Sequence, residues 1–295
     1  MQSLGVGVVG LGAMGRPMAR RLARANLLLC VWNRSTAQAE VLAGELGVHR
    51  ASSPAELARR CNVVLICVSA DHDLLEVIRL LLPGLVARSV VVDASTVNPS
   101  TAIAAAEMLA EIGVHFVDAP VSGGVEGAIN GRLSVMAGGK SADILRIRPI
   151  LEAISTTITH MGPVGSGQAT KAVNQVIVAG VARAVCEALA LSEKLNLPSR
   201  RLLSVLSAGA AGSWFLEHRG DSMLNDRFEE GFKLALLLKD LKIIRELARE
   251  LNISMSTVES AIEEYQQLVE SGDGDNDISG LIKLKRKSTL ISGKC

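Results

Sequence analysis

The sequence has 295 residues, of which 48% are hydrophobic, 2% aromatic and 21% charged. A chain of this length exceeds what one hydrophobic core usually supports, so the length predicts two domains. The 31 Lys and Arg side chains nearly balance the 30 Asp and Glu side chains, which argues against a nucleic-acid-binding surface built on bulk electrostatics.

The first half of the chain alternates short apolar runs with segments of helical spacing. The apolar runs predict buried strands at 4–9, 27–32, 63–68, 90–93, 115–118 and 134–137. Segments between them, such as 15–25, 54–60 and 100–112, have helical periodicity, and Pro54 and Ser100 lie near the expected helix starts. This alternation predicts an α/β domain with a doubly wound parallel sheet.

The second half predicts helices without strands. Residues 168–195 have the pattern of one long apolar helix, and further helices are predicted at 201–206, 215–223, 234–251 and 256–271. Three glycines and a proline between 162 and 167 mark a boundary. We therefore predict an α/β domain over 1–162, an interdomain helix over 163–192, an all-α domain over 193–287 and a flexible tail over 288–295.

Cysteine usage and hydropathy predict a cytoplasmic protein without metal. The five cysteines form no CxxC pair, which fits a reduced compartment. The apolar N-terminus lacks the basic segment of a secretory signal, and the apolar stretch 176–191 is too short and too charged to span a bilayer. His115, His160 and His218 are scattered without metal-ligand spacing.

A glycine-rich motif follows the first predicted strand and opens the first predicted helix. In such a motif the first glycine allows a tight turn, the second lets the backbone approach a pyrophosphate and the third permits close helix packing. Amide groups at the helix start then bind the anion. The alternative is a plain strand-to-helix turn. The predicted cofactor-binding residues here are Gly10, Leu11, Gly12, Ala13, Met14 and Gly15.

The end of the second predicted strand distinguishes between the two nicotinamide cofactors. An acid at this place would bind the ribose 2′-hydroxyl of NAD, but the chain has Asn33, Arg34 and Ser35. An arginine suits a 2′-phosphate, so we predict NADP(H) in preference to NAD(H). The alternative is that Arg34 belongs to an ordinary surface loop.

Two further loops follow strands that should end at the same sheet edge. Val68 ends the third predicted strand and Ser69 follows it, and Thr96 follows the fourth strand. Because ligands bind at the carboxyl edge of parallel strands, we predict cofactor contacts at all three residues. Either segment is also compatible with an ordinary loop, Ser69 more so than Thr96.

Several motifs in order give the chain a resemblance to the β-hydroxyacid dehydrogenase family. They are Asp118-Ala-Pro-Val-Ser-Gly-Gly124, Gly165-Ser-Gly-Gln-Ala-Thr-Lys171-Ala-Val-Asn174-Gln175, Lys239-Asp-Leu241 and Asp277-Ile-Ser279. The resemblance covers about residues 4–285. It implies a Rossmann domain, a long interdomain helix and a helical domain that binds substrate and supports dimerisation. The segments at 174–178 and 209–213 resemble the tartronate semialdehyde and glyoxylate reductase branch most.

Lys171 is the candidate general acid. Hydride reduction of a carbonyl places negative charge on its oxygen, which a positioned acid must neutralise. Lys171 follows the glycine-rich hinge where the two domains are expected to meet, and burial there would lower its pKa. The resemblance implies the same catalytic role. Asn174 lies three residues further on the same helix face and is expected to orient the substrate or the lysine. A snorkelling Lys171 and an interhelical hydrogen bond from Asn174 are the alternatives.

Ser122, Gly123 and Gly124 are the candidate site for a substrate carboxylate. They offer a hydroxyl and accessible backbone N–H groups, which suit an anion, although a plain turn would need the same glycines. The resemblance places the substrate carboxylate at this segment.

The resemblance also implies contacts from the second domain. Lys239 would approach the nicotinamide ribose, with Phe232 flanking the site. From the sequence alone Lys239 could instead form a solvated pair with Asp240 or Glu246. Trp214 and Phe232 are expected to line the substrate pocket. Arg219 could recognise a distal acid or lie at the surface. Asp277 and Ser279 belong to a loop near the active site, where Gly280 departs from the usual alanine.

The sequence thus predicts an NADPH-dependent oxidoreductase that interconverts a short semialdehyde or 2-oxo acid and the corresponding hydroxy acid. Imine reductases share this architecture, as do noncatalytic cofactor-binding proteins, but both commonly lack the lysine. The apolar length of the 168–195 helix further predicts a homodimer or homotetramer.

Overall fold

The computed structural model describes residues 4–229 and 231–287. The predicted tail at 288–295 lies outside these residues. The chain divides into two compact units, residues 1–171 and 172–295. One helix, Ser166–Lys194, crosses the division. The domain boundaries predicted above stay predictions.

The first unit contains one sheet of nine strands. They are β1 (Val6–Val9), β2 (Leu28–Trp32), β3 (His49–Arg50), β4 (Val63–Ile66), β5 (Val90–Asp93), β6 (His115–Asp118), β7 (Val121–Ser122), β8 (Leu133–Gly138) and β9 (Ser155–Gly162). The order is β3-β2-β1-β4-β5-β6-β8-β7, with β9 beside β8. The pairs from β3 to β6 are parallel, whereas β8 runs antiparallel to β6 and β7. The predicted doubly wound α/β fold is confirmed, with an antiparallel extension at one edge.

Helices follow the strands along the chain. In the first unit they are α1 (Gly15–Arg24), α2 (Thr36–Leu46), α3 (Pro54–Arg60), α4 (Asp71–Leu81), α5 (Pro99–Ala110), α6 (Gly124–Asn130) and α7 (Ser141–Ile154). Local caps fix some of the starts. Ser53 accepts a hydrogen bond from the Glu56 amide and precedes Pro54, and Asn98 accepts one from the Ser100 amide.

The central strands of the sheet, β1, β4 and β5, are buried on both faces. Along β4, Val63 and Leu65 belong to one core cluster, whereas Val64 and Ile66 belong to another, and all four side chains are fully buried. Alternate residues of a strand point to opposite faces. A strand covered on both sides is therefore a continuous apolar run, which is why the sequence revealed these strands.

Three strands, β3, β7 and β9, were not predicted from the sequence. β3 and β7 have only two residues each, and β9 is mostly exposed, with Ser155 as its only buried residue. Because β9 carries Thr and His side chains at the sheet edge, it lacks the apolar run that marked the central strands.

The second unit is helical. It contains the later part of α8 (Ser166–Lys194), then α9 (Ser199–Ala208), α10 (Trp214–Leu224), α11 (Leu234–Glu250), α12 (Ser256–Leu268) and α13 (Ile282–Lys287). On α8, the side chains of Ala179, Ala182, Cys186 and Leu189 are fully buried in the helical core. Their spacing of three and four residues is that of one helix face.

α8 is longer than the apolar stretch judged in the sequence. It has 29 residues, and by length and composition it is the one helix in the described chain that could cross a membrane. Such a lone helix is weak evidence for a span, because the core helix of a folded unit passes the same test. The buried face of α8 is that of a core helix.

Candidate active site

The glycine loop between β1 and α1 is shaped by close backbone contacts. Gly10 has a φ of +89°, and a Cβ there would collide with the carbonyl of Cys67 at the end of β4. A Cβ at Gly15 would collide with the carbonyl of Gly10. At Gly12, by contrast, no atom lies within 4 Å of an added Cβ. Gly10 and Gly15 are therefore needed for close packing, whereas Gly12 leaves open space beside the loop.

The open side of this loop faces a hollow. A depression of about 300 Å³ is lined by residues that include Gly12, Ala13, Arg16 and Gln38. The start of α1 has no acidic residue in its first turn, so its amides face no competing carboxylate there. The loop fits the phosphates of a dinucleotide, because backbone N–H groups at a helix start favour anions.

Asn33 holds the glycine loop to the end of β2. Its side-chain oxygen accepts a hydrogen bond of 2.9 Å from the Leu11 amide. Its amide nitrogen donates to the Ser35 carbonyl at 3.2 Å and to the Gln38 side chain at 3.1 Å. The structure thus gives Asn33 a role in supporting the loop, which the sequence analysis did not distinguish from cofactor contact.

Arg34 extends from the same strand end into solvent. Its side chain is 82% exposed and forms an ion pair of 3.1 Å with Asp73 in the first turn of α4. Ser35, the next residue, precedes α2 and makes no side-chain capping bond. Because this guanidinium is already exposed, it can bind an anion that arrives from solvent without first moving out of the protein interior.

The loops after β4 and β5 are joined by hydrogen bonds. The Val68 amide donates to the Ser95 hydroxyl at 2.8 Å. Asp71 accepts bonds from the Asn98 amide at 2.8 Å and from the Thr101 hydroxyl at 2.7 Å. Ser69 is exposed and Thr96 is half-buried. These bonds hold the two loops that carry the predicted contacts Val68, Ser69 and Thr96.

Asp118 anchors the start of α8. Its carboxylate is fully buried and accepts hydrogen bonds of 2.9 Å from the amides of Gly165 and Gln168. Burial raises the pKa of the Asp118 carboxyl above its ordinary value, and these backbone hydrogen bonds oppose that rise. A carboxylate at a helix start also complements the helix dipole.

Gln168 continues this anchor to the loop after β5. Its side chain is buried, accepts a bond from the Val97 amide at 3.2 Å and donates to the Ser95 carbonyl at 2.8 Å. Neither the role of Gln168 nor that of Asp118 was predicted from the sequence. The residues lie inside quoted motifs, but their contacts join positions more than 45 residues apart, which no local spacing reveals.

Lys171 lies one helical turn beyond Gln168. It is 7% exposed, which is rare for a lysine. Among the described residues the general-acid candidate is thus a buried lysine on a helix whose start is fixed by Asp118. Its catalytic role stays a prediction.

The segment of Ser122, Gly123 and Gly124 forms a turn of unusual backbone. Ser122 ends β7 and is half-buried. Gly123 and Gly124 have φ values of +128° and +63°, which glycine adopts at little cost. No atom lies within 4 Å of a Cβ added at Gly124. The turn is open at this point, and carboxylate binding here stays a prediction.

In the second unit, four polar side chains form a chain of contacts. Asn174 donates to Gln175 at 2.8 Å, and Gln175 donates to Asp240 at 2.7 Å. Asp240 also pairs with Lys239 at 3.0 Å. The side chain of Asp240 is 3% exposed and that of Lys239 is 26% exposed. The Lys239–Asp240 pair that the sequence allowed therefore exists, but its carboxylate is buried rather than solvated. The hydrogen bond between Gln175 and Asp240 was not predicted from the sequence.

An aromatic and charged cluster lies elsewhere in the second unit. Trp214 is 51% exposed, and its ring stacks on His218 with centroids 4.3 Å apart. Arg219 lies 5.3 Å from the Trp214 ring and 3.5 Å from the buried Asp277 carboxylate. Arg219 is therefore not a free surface residue.

Asp277 organises the segment that contains Phe232. It accepts hydrogen bonds from the Phe232 amide at 2.8 Å and from the Ser279 amide at 2.9 Å. Phe232 is half-buried, whereas Gly280 is buried. Among the described residues, no group of three or more His, Cys, Asp and Glu side chains could hold a metal. A metal-free reaction stays a prediction.

Two family models together cover nearly all of the chain. Residues 5–162 match the NAD-binding domain of 6-phosphogluconate dehydrogenase. Residues 165–285 match the model described as NAD-binding of NADP-dependent 3-hydroxyisobutyrate dehydrogenase.

Individual relatives match over the same length. The chain is 33% identical to 2-hydroxy-3-oxopropionate reductase of Escherichia coli over 285 residues, covering 94% of this chain and 96% of the reductase. The structure of Mycobacterium tuberculosis 3-hydroxyisobutyrate dehydrogenase with L-serine has a TM-score of 0.87 and 28% identity, covering 97% of this chain and 100% of that chain. The structure of Psf3 in complex with NADP+ and 2-OPP has a TM-score of 0.87 and 26% identity, covering 95% and 99%.

Proposed function

Since the chain belongs to the β-hydroxyacid dehydrogenase family, we propose that it interconverts a short semialdehyde or 2-oxo acid and the corresponding hydroxy acid, with NADP(H) as its preferred cofactor. The observation that carries this proposal is the buried side chain of Lys171, one helical turn beyond Gln168, whose amide the Asp118 carboxylate binds. The printed names of the relatives, a 2-hydroxy-3-oxopropionate reductase and a 3-hydroxyisobutyrate dehydrogenase, support the substrate class.

The cofactor is assigned to the glycine loop and the end of β2. When bound, NADPH supplies the hydride that reduces the carbonyl carbon. Backbone amides of Gly12 and Ala13 would bind its phosphates, since an added Cβ at Gly12 meets no atom. Arg34 would bind the 2′-phosphate, because its guanidinium is exposed at the strand end where an acid would favour NAD.

Lys171 is proposed to hold the proton that the carbonyl oxygen receives. An ammonium positioned at this oxygen neutralises the developing negative charge, and general acid catalysis of this kind contributes about 10²–10⁴-fold in rate. In the reverse direction the neutral amine takes the hydroxyl proton. Asn174, three residues further along α8, would orient the substrate or the lysine.

Substrate binding is assigned to the turn at Ser122, Gly123 and Gly124. The Ser122 hydroxyl and the backbone amides of the two glycines would donate hydrogen bonds to the carboxylate, which neutral donors of this kind can bind without a positively charged side chain. The expectations for Trp214, Phe232 and Lys239, which belong to the second unit, stay predictions. So does the cytoplasmic location.

The test is cofactor consumption by the purified protein. We expect NADPH to be oxidised with at least one of glyoxylate, tartronate semialdehyde, succinic semialdehyde and methylmalonate semialdehyde. Lys171→Ala should lower kcat by about 10²–10⁴-fold while NADPH still binds, as measured by fluorescence. Lys194→Ala, which removes an exposed lysine from the last turn of the same helix, is the matched control and should leave kcat unchanged.

Two outcomes would contradict the proposal. A Lys171→Ala variant with near-normal kcat would remove the general-acid role. Absence of turnover with all four substrates, despite NADPH binding, would reject the substrate class and leave imine reduction or a noncatalytic role. A panel of cyclic imines in the same assay separates these two.

We further propose that the protein is a homodimer or homotetramer. α8 keeps large apolar side chains exposed, Val173 at 63%, Ile177 at 62% and Leu191 at 59%. Exposed apolar side chains along one long helix are typical of a surface that another subunit covers. Light scattering after size exclusion tests this, and a monomer at micromolar concentration would contradict it.

A further inference from the structure

Arg34 already has a partner of opposite charge. Its guanidinium lies 3.1 Å from Asp73, whose side chain is only 13% exposed, whereas that of Arg34 is 82% exposed. The same carboxylate oxygen lies 3.6 Å from the exposed imidazole of His72. The structure therefore places one acidic group directly beside Arg34, the side chain that is proposed to bind the 2′-phosphate.

The position of Asp73 is fixed by its helix. It lies in the first turn of α4, where an acid also complements the helix dipole. The preceding residue but one, Asp71, is held by the Asn98 amide and the Thr101 hydroxyl. Of the pair, Arg34 is thus the partner on the solvent side, whereas Asp73 is mostly buried in the first turn of α4.

An anchored carboxylate beside Arg34 acts differently on the two cofactors. A 2′-phosphate that binds Arg34 must share or displace the pairing with Asp73, and its charge is repelled by the carboxylate. A ribose 2′-hydroxyl carries no charge and can donate a hydrogen bond to a carboxylate. The pairing therefore weakens binding of NADP(H) without weakening binding of NAD(H).

The geometry points to Asp73 as a specificity-determining residue that limits the preference for NADP(H) and lets the protein accept NAD(H). This inference rests on the proposed role of Arg34 in 2′-phosphate binding. Asp73 supplies the acid that the end of β2 lacks, but from a different element, the start of α4.

The test is a titration of the full-length protein with nucleotide fragments. Isothermal calorimetry measures Kd for 2′,5′-ADP, which carries the 2′-phosphate, and for 5′-AMP, which does not. Asp73→Asn should lower the Kd of 2′,5′-ADP by about three- to tenfold, as expected for loss of one partly exposed ion pair and one repulsion. It should not tighten 5′-AMP. Asp73→Ser, which keeps a polar side chain at the start of α4, should act in the same direction.

The matched control is Glu76→Gln. Glu76 is exposed on α4, and its replacement removes the same charge; we expect less than a twofold change. Equal effects of Asp73→Asn and Glu76→Gln on 2′,5′-ADP would overturn the inference while leaving the proposed function intact. Arg34→Ala tests that function separately. If it leaves the ratio of the two Kd values unchanged, Arg34 does not bind the 2′-phosphate, and both the cofactor proposal and this inference fail.

Discussion

Replacing Asp118 by asparagine should destabilise the α/β unit and slow catalysis together. The carboxylate accepts two backbone hydrogen bonds of 2.9 Å in a fully buried place. Asparagine keeps one acceptor but turns an NH₂ group toward the second backbone N–H. One charge-assisted bond of about 1.5–3 kcal/mol is lost, and unsatisfied donors cost a further ~1–3 kcal/mol.

The net loss is smaller than this sum. An uncharged side chain avoids the desolvation cost that raises the pKa of Asp118. We therefore expect a decrease of about 2–4 kcal/mol in the free energy of unfolding, or roughly 4–16 °C in Tm for a unit of this size. Because Lys171 follows this anchor on the same helix, we also expect kcat to fall by about tenfold or more.

The two tryptophans make the stability measurement specific. Trp32 lies in β2 of the first unit and Trp214 in the second unit. In a Trp214→Phe background, fluorescence during urea denaturation reports the α/β unit alone. Catalysis is measured in the background that keeps Trp214.

Asp143→Asn is the matched control. Asp143 is also a buried aspartate of the first unit, but its partner is His115, at 2.8 Å, and it lies in α7. It should lose stability and keep kcat. A role of Asp118 in holding the start of α8 is refuted if the free energy of unfolding of Asp118→Asn lies within about 0.5 kcal/mol of that of the parent protein, or if Asp118→Asn loses no more kcat than Asp143→Asn does.

Two further predictions concern acid stability and thiol reactivity. Burial favours a higher pKa for Glu264, but the hydrogen bonds from Arg183 and Lys285 outweigh it and lower the pKa, so its stabilisation is present above about pH 4.5 and is lost as the pH falls below that value. In chemical denaturation Glu264→Gln should therefore lower the free energy of unfolding by about 1 kcal/mol at pH 7 and by less at pH 3.5. Glu263→Gln, which changes an exposed neighbour, should lower it little at either pH. Equal losses of stability for Glu264→Gln at the two pH values would contradict this prediction. Burial raises the pKa of Cys30 to about 11 and that of Cys61 to about 12, and it also raises that of Cys186, whereas Cys67 is half-buried beside the glycine loop. In a Cys295→Ser background at pH 7.5, peptide mass spectrometry should find iodoacetamide first on Cys67 and find it slowed by NADPH; faster labelling of Cys30 or Cys61 would show that the packing is looser than described.

The central sheet was predictable because its strands are buried on both faces. β4 is a run of four apolar residues and β5 begins with three valines, patterns that a sequence displays directly. β9 was not predictable in this way, since its exposed Thr and His side chains carry no such run. α8 was predicted over 168–195 and observed over 166–194, because its buried face repeats along the whole helix.

The candidate site divides in the same manner. The glycine motif and Lys171 stand in recognisable local patterns. Gln168 stands in no such pattern, because its side-chain oxygen and nitrogen bind the backbone of Val97 and Ser95, about 70 residues away. Asp240 likewise depends on Gln175, 65 residues earlier in the chain. Such pairings arise only when the units have folded, so spacing in the sequence carries no trace of them.

The three glycines of the loop after β1 are under different structural constraints. At positions 10 and 15 any side chain meets a backbone carbonyl, so selection for a folded chain alone would retain both glycines. At position 12 a methyl group meets nothing. A library selected only for soluble expression should therefore let position 12 drift to alanine, while a library selected for nucleotide binding should not. Comparing the two substitution profiles would separate what this loop owes to folding from what it owes to its ligand.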